Sequence, residues 1–253
     1  MYNCIALKRF LLIFHAMSSN YRNLVLCAAA CSLLGAITTS LLVFLPASST
    51  VDTQNTILLY KDNLYTAKLW VLFFHPQFNF IAALGIAALL VKKYPLEIIT
   101  GTFFLLVWAV TEMSQQAFLI DALNQYWRPA YMAAQDEMSR DIFLALIKGS
   151  DALSDSKYFV LLYGFAMGSL LYGIALTREA GISRWLGIAY LFIGALSLGA
   201  FTSYYLGAAF LSAPVAWCYE WIYPYLQPLV RIAVAAWLFM YWKESRELAG
   251  RQE

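Results

Sequence analysis

The sequence predicts an all-α, polytopic membrane protein with six transmembrane helices, and three observations carry that reading. Of its 253 residues 62% are hydrophobic and only 13% charged, against roughly 45–50% apolar and about 25% charged in ordinary soluble domains. Apolar runs of about 20 residues, the length that crosses a hydrocarbon core about 30 Å thick, recur along the chain. Short cation-rich segments separate alternate runs, as the positive-inside pattern requires.

Residues 1–22 form an expected cytoplasmic N-terminal extension. Its apolar stretch from Phe10 to Phe14 is too short to span a bilayer or to act as a secretory core, so no cleaved signal peptide is predicted, and Met17 offers an alternative start. An interfacial amphipathic segment is the other reading of this extension. The transmembrane domain then covers residues 23–243, with spans at 24–45, 69–91, 98–119, 158–177, 185–211 and 221–242. The second span has an early start available, because residues 58–68 are moderately apolar. Pro76 predicts a bend within it, and Pro224 and Pro228 predict the same in the sixth. The loop 120–157 contains an apolar-periodic stretch, 138–147, bounded by Ser139 and Gly149, which predicts a short amphipathic helix in the outer loop between helices 3 and 4. Residues 244–253 form a cytoplasmic tail.

Orientation follows from the cations. Lys8, Arg9, Arg22, Lys92, Lys93, Arg178, Arg184, Lys243, Arg246 and Arg251 fall in short segments on one side. Lys61, Lys68, Arg128, Arg140, Lys148 and Lys157 lie on the other, in longer loops mixed with acids. Both termini are therefore expected in the cytoplasm. Trp185, Tyr241 and Trp242 read as aromatic anchors on that side, and Tyr60, Tyr65, Trp127, Tyr131, Trp221, Tyr223 and Tyr225 on the outer one.

Several function classes drop out. Seventeen Lys and Arg against fifteen Asp and Glu leave a net charge of +2, with no basic excess to follow a nucleic-acid backbone. Cys4, Cys27, Cys31 and Cys218 include no C-x-x-C and read as packing residues. His15 and His75 supply neither paired bis-histidine haem sites nor a three-histidine zinc cluster, so no metal ligands are predicted and no cofactor is indicated. There is no G-x-S-x-G, no H-E-x-x-H, no phosphate-binding glycine loop and no lysine in the last span. These absences favour binding, transport or a scaffold over an enzyme. No repeat of 20 to 50 residues is visible either, so solenoid and inverted-repeat transporter readings gain no support.

The informative residues are the ionisable ones inside spans, which are costly in lipid and usually face the bundle interior. Glu112 and Arg231 are the two that sit well inside. At 1.5 Å per residue they lie about 21 Å and about 18 Å above the cytoplasmic boundary, so they share a level. Gln115 and Gln116 extend the face of Glu112, and Glu220, Tyr223, Gln227 and Arg231 form one stripe at helical spacing. Asn79 with His75 on the second helix, Thr38 and Thr39 on the first, and Ser203 with Tyr204 on the fifth lie in the same outward half. The candidate ligand-binding set is Glu112, Arg231, Gln116, Gln227, Asn79, His75 and Tyr204. Three readings stay open: a structural ion pair of Glu112 with Arg231, a ligand or transport site, and acid or base work by Glu112.

Small residues mark close helix contacts at Gly164, Gly168, Ser169 and Gly173 on the fourth helix, and at Gly187, Gly194 and Gly199 on the fifth. The run from Tyr163 to Gly173, the turn Ser183-Arg184-Trp185-Leu186-Gly187, and Pro228, Arg231 and Trp237 resemble a family of bacterial six-helix integral-membrane proteins known only as a domain of unknown function. That resemblance covers mainly residues 158–242 and implies six helices in a bacterial inner membrane, with no substrate to transfer. The expected function is binding or transport of a small amphipathic or lipid-like ligand in an outward-facing polar cavity. The alternatives are an accessory subunit of a larger respiratory, photosynthetic or transport complex, and an intramembrane enzyme using Glu112. Expected partners are membrane lipids, a small-molecule ligand and other membrane subunits, and not nucleic acid.

Overall fold

Helix ends in this chain are set by a few local devices. Asp62 accepts hydrogen bonds from the backbone N–H groups of Leu64 (2.8 Å) and Tyr65 (3.3 Å) and so starts a helix at Asn63. Pro95 opens the next helix, where its missing N–H costs nothing, and Asp136 opens another by accepting from the Ser139 N–H at 2.8 Å. Gly181, at φ +67°, makes the turn between two long helices, in a conformation open to glycine at little cost.

The computed structural model describes residues 19–45 and 53–249. Its long helices are α1 (Ser19–Phe44), α2 (Asn63–Leu90), α3 (Pro95–Phe118), α4 (Glu137–Thr177), α5 (Ile182–Tyr205), α6 (Ser212–Trp221) and α7 (Tyr223–Ala249), with no strand among the described residues. Five helices are long and apolar enough to cross a membrane, or six when the bent pair α6 and α7 counts as one span. The chain is thus an all-helical, multi-pass membrane protein. The expectations for Cys4, His15 and Met17 lie outside the described residues.

Neighbours in sequence pack as neighbours in space from α1 to α5, and α7 returns to lie along α1 and lightly against α5. The helices therefore ring a common axis. At one end, the turn end, ion pairs join the α2–α3 turn to the α4–α5 turn: Lys93 with Glu179 and Arg178 with Glu97, each at 2.5 Å. Exposed pairs of this kind contribute little energy. The half of the bundle behind them is solidly filled by Ile86, Ile98, Tyr172, Leu176, Trp237 and Leu238, each under 2% exposed. Glycines bring the backbones together there. A Cβ on Gly187 would stand 2.5 Å from the Thr177 nitrogen, and one on Gly173 2.8 Å from the Leu191 nitrogen. The small-residue faces of α4 and α5 are helix contacts, as their spacing predicts.

Three sequence expectations need correction. First, the separate amphipathic helix at 138–147 does not exist as such. It is the leading part of α4, whose 41 residues run about 61 Å, twice the apolar thickness of a bilayer. A single Gly149 costs only about 1 kcal/mol in a helix and does not break it. Second, residues 119–133 are helical and not a loop. α3 widens into a π-helix over Leu119–Trp127 and continues as Arg128–Ala133, so α3 and α4 project as a hairpin from the end opposite the turns. The Asn124 amide, donating to the Leu119 carbonyl at 2.5 Å, stitches the wider turn. Third, cations assigned to loops are at work on helices. Arg128 is buried, donates to Asn124 Oδ1 (2.5 Å) and the Tyr65 hydroxyl (3.3 Å), and Lys68 donates to the Leu45 carbonyl at the end of α1 (2.9 Å).

The prolines act unequally. α2 continues as one helix through Pro76. Pro224 sits in the first turn of α7, directly after a 58° break between α6 and α7.

Candidate functional site

Polar side chains of the hairpin-end half converge on a partly open cavity of 280 Å³ on the bundle axis. Every long helix contributes to its wall. α1 supplies Thr39, α2 His75, α3 Trp108 and Glu112, α4 Tyr158 and Phe165, α5 Ser197, α6 Tyr219, and α7 Tyr223, Gln227 and Arg231. Trp108, Phe165, Gln227 and Arg231 form a floor shared with a smaller chamber of 40 Å³, which reaches toward the turn end past Asn79, Ser169 and Tyr190. At 10–15 Å³ each, the small chamber has room for about three waters.

The arrangement on α7, α2 and α1 is a directed chain of hydrogen bonds. Arg231 has only donors, and its Nη1 donates to Asn79 Oδ1. The amide nitrogen of Asn79 therefore faces the other way and donates to His75 Nε2 (2.9 Å) and to the His75 carbonyl (2.9 Å). With Nε2 accepting, the ring proton is assigned to Nδ1, which donates to Thr38 Oγ1 at 2.8 Å. The Thr38 hydroxyl donates onward to the carbonyls of Leu34 and Gly35, both at 3.0 Å. Gly35 makes the crossing feasible, since a Cβ there would collide with Asn79 Oδ1. Ser32 adds a bond from α1 to the Arg231 carbonyl at 2.7 Å.

Glu112 and Arg231 line the same cavity, as their shared depth predicts. They do not touch. Among the described residues the ion pairs are Lys93 with Glu179, Arg178 with Glu97, and Lys243 with Glu247, so the structural pair between Glu112 and Arg231 is not formed. Hydrogen-bonding capacity is left over instead. Arg231 Nε, Gln227 Nε2, Gln116 Oε1 and Gln115 Oε1 are buried without a partner. Few native polar groups stay in that condition, because each costs about 1–3 kcal/mol. His75, with both ring nitrogens engaged, has no free nitrogen to work beside Glu112.

The sequence-predicted set divides accordingly. Glu112, Arg231, Gln227 and His75 line the larger cavity, Asn79 lines the smaller one, and Gln116 is buried one turn beyond Glu112. Tyr204 is not part of the site: it is 65% exposed and stacks edge-on against Tyr205. Depth alone placed it with the others, and depth does not say which way a helix residue points. Ser203 bonds Ser212 at 2.7 Å on the exposed α5–α6 connection. Glu220 leaves the polar stripe because the helix breaks at Ile222, which turns it outward. Tyr223 is a cavity wall and not an interfacial anchor. The residues that the sequence reading missed are the aromatic ones, Trp108, Tyr158, Phe165 and Tyr219. Their signal was present: Trp108 precedes Glu112 by one turn, and Tyr219 precedes Tyr223 by four.

Among the described residues no group of three or more histidines, cysteines or acids could hold a metal ion. No family model, no curated protein and no solved structure matches this chain.

Proposed function

We propose that this six-span protein binds or moves a small amphipathic or lipid-like ligand in the cavity between Glu112 and Arg231. The single observation behind the reading is a 280 Å³ space whose wall carries opposite charges that are not paired with each other, beside buried donors without partners. A purely structural polar cluster closes on itself, whereas this one leaves buried valences without partners on two residues of the cavity wall, Arg231 and Gln227. The volume lies just below the range of small-molecule sites, about 300–1,000 Å³, so a headgroup or a small solute fits and a whole lipid does not. In the same reading the turn end, with its cation-rich turns, faces the cytoplasm of a bacterial inner membrane, and the cavity opens to the outer side. Kinship with the bacterial six-helix family belongs to this proposal.

A second reading, an accessory subunit, has one observation in its favour. An apolar groove of 600 Å³ runs between α1 and α7, lined by Leu33, Ile37, Leu41, Phe44 and Ile232, and would accept a partner helix or lipid tails. Native mass spectrometry after gentle extraction from the original membrane separates the two. A stoichiometric small-molecule adduct that disappears in Arg231→Gln supports the ligand site. A stable partner polypeptide with no adduct contradicts it and favours the subunit.

A further inference from the structure

From the distribution of charge and unpartnered atoms around the cavity we infer that its ligand is a zwitterion bearing an ammonium group, such as a zwitterionic phospholipid headgroup or a free zwitterionic solute. This rests on the ligand-site reading and names the chemical class. The α7 side of the wall carries Arg231, whose guanidinium has only donors, and Gln227, whose amide nitrogen is buried without a partner. Arginine beside an amide nitrogen is suited to a carboxylate or phosphate, which can accept from both. The α3 side offers the carboxyl of Glu112, an acceptor when ionised, which is 8% exposed. The rings of Trp108, Tyr219 and Tyr223 line the same cavity, with Tyr219 and Tyr223 4.7 Å apart. An ammonium or quaternary ammonium group is stabilised both by a carboxylate and by aromatic faces.

Charge balance selects the zwitterion over a simple ion. Arginine and glutamate held apart in an apolar bundle sum to zero, yet each lacks a counter-charge in contact. An anion would satisfy Arg231 and leave two negative groups in one cavity, and a cation would do the converse at Glu112. A ligand with both charges satisfies both walls and keeps the sum at zero.

The test is calorimetric titration of the purified full-length protein in detergent with three soluble probes that share a backbone or a charged group. These are glycerophosphoethanolamine, carrying both charges, glycerol phosphate, carrying the anion, and ethanolamine, carrying the cation. The inference expects the first to bind at least about tenfold more tightly than either single-charge probe. It also expects Glu112→Gln to shift preference toward glycerol phosphate, and Arg231→Gln toward ethanolamine. Equal or tighter binding of a single-charge probe by the unaltered protein overturns the inference, and this comparison needs no variant to fold. If the protein retains a native adduct that carries no ammonium group, the ligand site stands and the zwitterion falls. If neither a native adduct nor any probe binds, both fall. Repeating the titration with phosphatidylethanolamine in nanodiscs identifies the source: tighter binding of the lipid than of the soluble zwitterion assigns a headgroup, and binding of the soluble zwitterion without the lipid assigns a free solute.

Discussion

The two halves of the bundle use polar residues in opposite ways. In the turn-end half each buried polar group noted here is consumed: the Tyr172 hydroxyl donates to the Ala83 carbonyl at 3.2 Å and shares a 2.7 Å bond with Thr102, and Trp237 Nε1 donates to Ser183 Oγ at 3.0 Å. In the hairpin-end half Arg231, Gln227 and Gln116 keep buried atoms without partners, and the first two line the cavity. The first half is a packed core that happens to contain polar groups. The second is a polar site that the packed core holds in place, with Arg231 and Trp237 on successive stretches of the same helix belonging to different halves. Polarity in a membrane bundle is therefore informative only after its partners are counted.

Substitutions sharpen this contrast, and the largest effect is expected in the packed half. Gly187→Ala places a methyl group against the backbone of Leu176 and Thr177, which has no side-chain freedom with which to yield. A loss of about 3 kcal/mol or more is expected, read as a fall in thermal unfolding temperature in detergent. Trp237→Phe comes next. It removes the bond to Ser183, whose hydroxyl keeps Tyr241 as a neighbour, for about 1 kcal/mol in the same assay. Both variants should keep ligand selectivity in whatever fraction folds.

Gly35→Ala affects both properties. The added methyl displaces the Asn79 side chain, so the Arg231 guanidinium loses its acceptor and its fixed direction. A loss of about 1 kcal/mol in stability is expected for the broken bond, while affinity for a ligand anion drops about tenfold, which is about 1.4 kcal/mol. The smallest effect concerns the hairpin. The Ser139 backbone N–H, and then its hydroxyl, hold the Asp136 carboxyl below the usual aspartate range. Its capping contribution is present above the ordinary unfolded value and is lost as pH falls through the lowered folded value. Asp136→Ala at neutral pH, or acidification of the unaltered protein, should therefore speed hydrogen exchange of the first α4 turn and leave the cavity untouched.

What the sequence could disclose follows the same division. Apolar runs locate the spans because the bilayer demands about 20 residues whatever the fold. Charged segments such as 137–157 read as loop because hydropathy reports what lies in lipid and is silent on a helix that continues into water. Shared depth brought Glu112 and Arg231 together, since rise per residue is fixed. It could not separate Tyr204 from Asn79, because direction around a helix depends on neighbours that one sequence does not reveal. Nor could it distinguish an ion pair from two charges held apart, which is set by the side chains of five other helices.

The central claim is that Glu112 and Arg231 serve a ligand and not the fold. The double variant Glu112→Met with Arg231→Met tests it most directly, with unfolding temperature and native-membrane adduct measured on the same preparation. Replacing buried charges with apolar residues of similar size is often neutral or stabilising by about 1–4 kcal/mol. The account predicts an unfolding temperature equal to or above that of the unaltered protein, together with complete loss of the adduct. A marked fall in unfolding temperature with the adduct retained would show the two charges to be structural and contradict the account.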